Sequence, residues 1–169
     1  CKARWYVLGE GNEREKLEKK IKELGLEEDF LLLGAVENPY PYYAQADLYV
    51  HATRFEGKSI AIQEAQVLGC PVIASDCNGN REQIESGVDG ILCKLSPEDI
   101  AKCIEELIAD PKKRQIYAKC ARERNKENKE EIKNSIAEAL SVIADENGNI
   151  TFEHESVLNE GLAVAMAAK

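Results

Sequence analysis

Leu48-Tyr49-Val50-His51-Ala52-Thr53-Arg54-Phe55-Glu56-Gly57-Lys58-Ser59-Ile60-Ala61-Ile62-Gln63-Glu64-Ala65 runs on through Gly69-Cys70-Pro71-Val72-Ile73-Ala74. It reads as an apolar run, a polar turn, a helical pattern from Ser59 to Gly69 and a second apolar run. Neither run alternates with polar residues, so both are expected to be strands buried on two faces and joined through a helix, the signature of a parallel sheet. Upstream, Trp5 to Leu8 and Phe30 to Leu33 repeat the strand pattern, and downstream Gly90 to Cys93 does so again. Leu17, Ile21 and Leu24 recur at helical spacing, with Asn12 and Glu15 as a capping box and Gly25 as the stop. Ser96-Pro97-Glu98-Asp99 starts another helix ahead of Ile100, Cys103, Ile104, Leu107 and Ile108. Asp110-Pro111 interrupts it, and Lys112 to Ala144 continues as one or two charged helices, with Arg122 to Lys133 expected to be a solvated face. After a turn at 145–149 come a strand candidate, Ile150-Thr151-Phe152, and an alanine-rich helix from about Glu160 to Lys169. The expected class is α/β: a Rossmann-like three-layer α/β/α fold with a six-stranded parallel sheet.

The 169 residues suit a single domain, and 44% hydrophobic with 31% charged residues is an ordinary globular balance. A net charge of −9 with no basic stripe argues against nucleic acid as a partner. No apolar run approaches the ~18 residues of a membrane-spanning helix, and the amino end carries no signal-peptide pattern, so a cytoplasmic location is expected. The six cysteines, at 1, 70, 77, 93, 103 and 120, form no C-x-x-C pair, so no metal site is expected from their spacing. Their apolar company suggests small buried groups in a reducing compartment.

In an open parallel sheet, ligands sit beyond the carboxyl ends of strands. Gly9-Glu10-Gly11 follows the first strand there, as a phosphate loop would, although glycines also serve plain turn chemistry. Gly57, Lys58 and Ser59 fall where the amides of a helix start can meet an anion, and Glu64 lies about one and a half turns further on, within reach of a ribose diol. The plainer reading makes Ser59 only a cap and Glu64 a solvated side chain.

Taken in order, Val7-Leu8-Gly9-Glu10-Gly11, Leu32-Leu33-Gly34-Ala35-Val36, Ala46 to Val50, Arg54-Phe55-Glu56-Gly57 through Glu64-Ala65, Gly69 to Ala74 and Gly87-Val88-Asp89-Gly90 resemble the C-terminal domain of family-four retaining glycosyltransferases of the GT-B class. The resemblance spans about residues 5 to 140. It implies a domain that binds a nucleotide-diphosphate sugar as donor, without an obligatory metal or other cofactor, and that works against an N-terminal acceptor domain. Glu56 would then be the catalytic-site carboxylate facing the donor sugar. Arg54, Gly57, Lys58, Ser59 and Ile60 would meet sugar and diphosphate, and Glu64 would hold the ribose. Gly9, Gly11, Gly34 and Val36 would line the nucleotide.

The family's domain usually opens one strand earlier, with a loop arginine and a lysine-glycine pair after that strand. Residues 150–169 resemble that missing strand, loop and helix, which points to a circular permutation, natural or engineered. Residues 1–144 would then form the donor-domain core and 145–149 the joining turn. The ungapped reading puts Glu155 and Glu160 where the family places cations, which would turn attraction for a diphosphate into repulsion and leave weak or absent binding and transfer. Two other readings stay open. One is a scaffold without a ligand. The other is a nucleophile or metal site at the strand ends built from His51, Cys77, His154 and Glu155, beside Asp76.

Overall fold

The five runs expected between residues 5 and 93 all fold as strands, with ends displaced by no more than two residues. The computed structural model describes residues 3–126, and residues 162–167 by their backbone path. The elements are β1 (Ala3–Leu8), α1 (Arg14–Leu24), β2 (Phe30–Gly34), α2 (Tyr40–Gln45), β3 (Leu48–His51), α3 (Ile60–Leu68), β4 (Val72–Ser75), α4 (Asn78–Gln83), β5 (Gly90–Cys93), α5 (Pro97–Ala109), α6 (Pro111–Arg124) and β6 (Leu162–Ala167). The sheet runs β2-β1-β6-β3-β4-β5, and every pairing is parallel.

Strand alternation divides the core into two layers. Leu48 and Val50 of β3 pack with Ile73, Ile91, Ile104 and Leu107 on one face of the sheet. Tyr49 between them faces the other way, onto Tyr43 of α2, Ile62 and Ala65 of α3, and Val72 and Ala74 of β4. Leu48, Tyr49, Ile62, Ile73 and Leu107 are fully buried, each stabilising the fold by roughly 1.5–3 kcal/mol through area removed from water. Cys70 and Cys93 are buried in these layers, and burial pushes the Cys93 thiol up to about 12. Among the described residues no helix is long and apolar enough to cross a membrane.

Several expectations change. The helix from Glu160 to Lys169 is not what the described part forms: Leu162–Ala167 is a strand lying between β1 and β3. A short, wholly apolar run is compatible with a helix or a central parallel strand, and here pairing on both sides outweighs alanine's helical preference. The strand candidate Ile150-Thr151-Phe152 lies outside the described residues. Asn12 does not cap α1: the Arg14 amide donates to Gly11 O at 3.1 Å, so a turn delays the helix and Glu13 becomes its N-cap, with no side-chain cap bond. The α1 stripe is also less covered than its spacing suggests, with Leu17 40% and Leu24 58% exposed. The described part of the charge run is not merely solvated, since Arg124 ion-pairs with Glu85 at 2.8 Å and with buried Asp89.

Other helix ends follow the sequence closely. The Ser96 hydroxyl accepts from the Asp99 amide at 3.1 Å, with Pro97 at the first helical position of α5. Asp110 does the same for α6, accepting from Lys113 N at 2.9 Å. The short helices α2 and α4 had no counterpart in the sequence reading. They matter because they carry the groups that brace the carboxyl edge of the sheet.

Candidate functional site

Chain order reverses across the middle of the sheet: β1 leads outward to β2 on one side, and β3 leads to β4 and β5 on the other, with β6 between. That reversal opens a crevice at the carboxyl ends of β1 and β3, where ligands of open α/β sheets bind. The loops at residues 9–13, 35–39, 52–59 and 76–77 converge on that edge.

On the β1 and β2 side, the Gly9 amide donates to Gly34 O at 2.7 Å. Both glycines have positive φ, 122° and 80°, a left-handed backbone that side chains disfavour, so glycine suits both turns. Gly11 faces open space and Val36 is half-buried. A cavity of about 180 Å³ lies here, lined in part by Gly9, Gly11 and Arg14. Arg14 donates to Glu10 at 2.7 Å, to Glu18 at 2.8 Å and to Leu32 O at 3.2 Å.

On the other side, residues 52–59 are braced from below. The Thr53 amide donates to Ser75 Oγ at 3.1 Å, whose hydroxyl donates to Thr53 O at 2.6 Å, and Asn80 Nδ2 donates to Ser75 O at 2.8 Å. Gly79 passes so close beneath the loop that a Cβ there would collide with the carbonyl oxygens of Glu56 and Gly57. The Gln83 amide spans Ser59, accepting from its N–H and donating to its C=O, each at 2.8 Å. Ser59 is therefore the N-cap of α3 by backbone geometry, while its own hydroxyl makes no cap bond and is buried without a partner among the described residues. Arg54, Gly57, Lys58 and Ile60 are exposed. A groove of about 740 Å³ opens over His51 to Glu56, walled on its far side by Val7, Leu17 and Ile100.

The two glutamates singled out in the sequence sit in different settings. Glu56 turns inward, its side chain 8% exposed, with Oε2 2.9 Å from His51 Nε2. Glu64, on α3, is half-buried and accepts from the Tyr40 hydroxyl of α2 at 3.1 Å. Burial raises the Glu64 carboxyl above its ordinary range, and the Tyr40 hydrogen bond offsets part of that rise. Burial, then the nearby Glu64 charge, raise the Tyr40 phenol in turn.

His51 and Cys77 are not joined. Both ring nitrogens of His51 are engaged, Nδ1 by the Tyr49 hydroxyl at 3.0 Å and Nε2 by Glu56. Neither is left to take a proton from the Cys77 thiol, which sits at the N-cap of α4. Asp76 is bound to Arg81 at 2.6 Å, a hydrogen bond that holds its carboxyl below the usual range. His154, Glu155 and Glu160 lie outside the described residues. β6 starts at Leu162, after both glutamates in the chain. Among the described residues no group of three His, Cys, Asp or Glu side chains is placed to hold a metal.

Tyr40, Tyr49, Ser75, Gly79, Asn80 and Gln83 escaped the sequence reading. Only the Tyr49/His51 pair carried a usable signal, since residues two apart on a strand share a face.

Residues 2–124 match the family described as glycosyl transferases group 1. The chain is 35% identical over 122 residues to a Campylobacter jejuni enzyme named N-acetylgalactosamine-N,N'-diacetylbacillosaminyl-diphospho-undecaprenol 4-alpha-N-acetylgalactosaminyltransferase, covering 71% of this chain and 33% of the relative. It is similar to the crystal structure of Anabaena HepE in complex with UDP, with a TM-score of 0.71 and 28% identity, covering 83% of this chain and 41% of that one. HepE in complex with UDP-glucose gives a TM-score of 0.68 at 29% identity, over 81% of this chain and 40% of that one. The C-terminal domain of LpcC from Francisella tularensis, a glycosyl transferase group 1 family protein, gives 0.59 at 30% identity, over 67% and 60%. The chain thus spans about a third of the length of the Campylobacter relative.

Proposed function

The chain belongs to the glycosyl transferases group 1 family, and from that premise we propose that its sheet edge binds a uridine diphosphate sugar as the donor half of a transferase. One observation carries the reading: the Gly9–Gly34 contact and the start of α3 flank the crevice where chain order reverses. The first amides of α3 have no partner within the helix, and its dipole favours a negative group, so the diphosphate belongs at Gly57 to Ile60 with Arg54 and Lys58 beside it. Glu64 then receives the ribose hydroxyls and Glu56 faces the sugar. The base lies along Gly34 and Val36, over Gly9 and Gly11. The HepE complexes with UDP and UDP-glucose support uridine as the base. Amides and cations that stabilise a departing diphosphate serve transfer without a metal, and transfer itself requires an acceptor domain across the crevice.

Calorimetric titration with UDP, GDP and ADP tests this. Saturable one-site binding of UDP alone is expected. Absence of heat with all three overturns it and leaves a scaffold.

The position of β6 supports a second part of the reading. β6 pairs with β1 over six residues and with β3 over three, which gives the sheet the order of a doubly wound fold with β6 in the place of its first strand. We infer that this C-terminal strand stands in for that opening one, as a relocated first strand would.

A further inference from the structure

Beneath the 52–59 loop a row of buried hydrogen-bonding groups leads to Glu56. His51 Nε2 lies 2.9 Å from Glu56 Oε2, and their side chains are 5% and 8% exposed. His51 Nδ1 lies 3.0 Å from the Tyr49 hydroxyl. Tyr43 and Tyr49 meet edge to face, ring centres 5.2 Å apart, and both are buried.

The donor inventory fixes the direction of this row. An ionised carboxylate only accepts, so the proton of a neutral imidazole must sit on Nε2. Nδ1 is then an acceptor and the Tyr49 hydroxyl donates to it. Both protons point towards Glu56. Burial raises the Tyr49 phenol, so it remains a protonated donor across the physiological range.

We propose that His51 is a positioning residue for Glu56, its Nε2–H fixing the carboxylate's direction while the Tyr49 hydroxyl fixes the imidazole's tautomer and Tyr43, edge-on to Tyr49, holds that ring in place. The inference rests on the donor-site reading, in which Glu56 faces the sugar, and adds the residues that aim it. A carboxylate offers about four lone-pair sites, so the bond to His51 leaves acceptor capacity for sugar hydroxyls. Without His51 the carboxylate would lose one of the bonds that fix its direction, and recognition of the sugar would weaken while the uridine diphosphate contacts at Gly57 to Glu64 stayed in place.

Two measurements on the whole chain test this. In the first, UDP and UDP-glucose affinities are compared. His51→Ala is expected to lower UDP-glucose affinity about tenfold, the scale of one charge-assisted hydrogen bond, with UDP within about twofold of the parent. His51→Gln, which keeps a donor near Nε2, should recover most of the loss. Equal losses for both ligands, or no loss for either, would overturn the proposal. If the parent binds neither ligand, the donor-site reading fails separately, and the second measurement decides the positioning claim. It uses ¹⁵N-imidazole NMR of the free protein, with His154→Gln assigning the second of the two histidines. His51 is expected as the Nε2–H tautomer, shifting to a mixture in Tyr49→Phe. An Nδ1–H tautomer, or a spectrum indifferent to both Tyr49→Phe and Glu56→Gln, would contradict it.

Discussion

Burial lifts the Glu64 carboxyl and Tyr40 holds it, so the ribose ligand we propose is also a destabilised group. A carboxyl whose folded pKa is raised binds its proton where the unfolded chain has released it. Stability therefore falls as pH rises from the ordinary glutamate value through the raised one, and the full penalty stands above it. Glu64→Gln should flatten that slope and stabilise the unliganded protein above the window, read from urea midpoints across pH. The same change should weaken UDP binding roughly ten- to a hundredfold, because charge-assisted hydrogen bonds contribute about 1.5–3 kcal/mol. UDP affinity in the parent should rise with pH through the same window. Gly79 is a second residue-scale case. Its substitution by alanine drives a Cβ into the backbone of Glu56 and Gly57. A cost of about 1–3 kcal/mol is expected in denaturant unfolding, as for overpacking elsewhere, together with loss of UDP binding.

The helices act on the site through one another. The Asn125 amide, just past α6, donates to Gln66 Oε1 on α3 at 3.0 Å, Gln66 donates to Gln83 O at 3.0 Å, and the Gln83 side chain holds Ser59. Arg124 closes the same junction on Asp89, which is 1% exposed and also accepts from the Glu85 amide at 2.7 Å. Arg124→Ala should cost about 2 kcal/mol, between the values for exposed and fully buried pairs, since it strands a buried carboxylate whose partner is itself partly exposed. Thermal unfolding of the variant and of Arg124→Lys measures it. The strands and most caps were legible in the sequence because apolar runs, Ser96-Pro97, Asp110-Pro111 and the closing glycines are local signals. The Gln83 brace, the Asp89 latch and the Gly79 approach were not, since each joins residues far apart in the chain through a tertiary contact. Asn12 failed as a cap for a related reason: the Gly11 turn diverted the helix start by one residue.

At the scale of the molecule, β6 is where local preference and tertiary pairing conflict most. Its alanine-rich run reads as helix, yet it lies at the centre of the sheet and joins the half that carries Gly9 and Gly34 to the half that carries Glu56 and Glu64. A chain ended at residue 161 would leave β1 and β3 without their shared partner, exposing two strand edges in the middle of the fold. Loss of the single cooperative unfolding transition is expected, with association at higher concentration, whereas an unchanged transition would show that the two halves hold without β6. The likeness to group 1 relatives was legible because its motifs are local and fall in order. The reversal of charge expected at Glu155 and Glu160 falls on residues outside those described.

The most direct test of the donor-site account is a titration of the ¹⁵N-labelled chain with UDP, followed by amide chemical shifts. Saturable shifts clustered at residues 9–11, 34–36 and 57–64 are expected, with the β5 and α5 amides unmoved. Saturable shifts clustered elsewhere, or none at millimolar UDP, would contradict it.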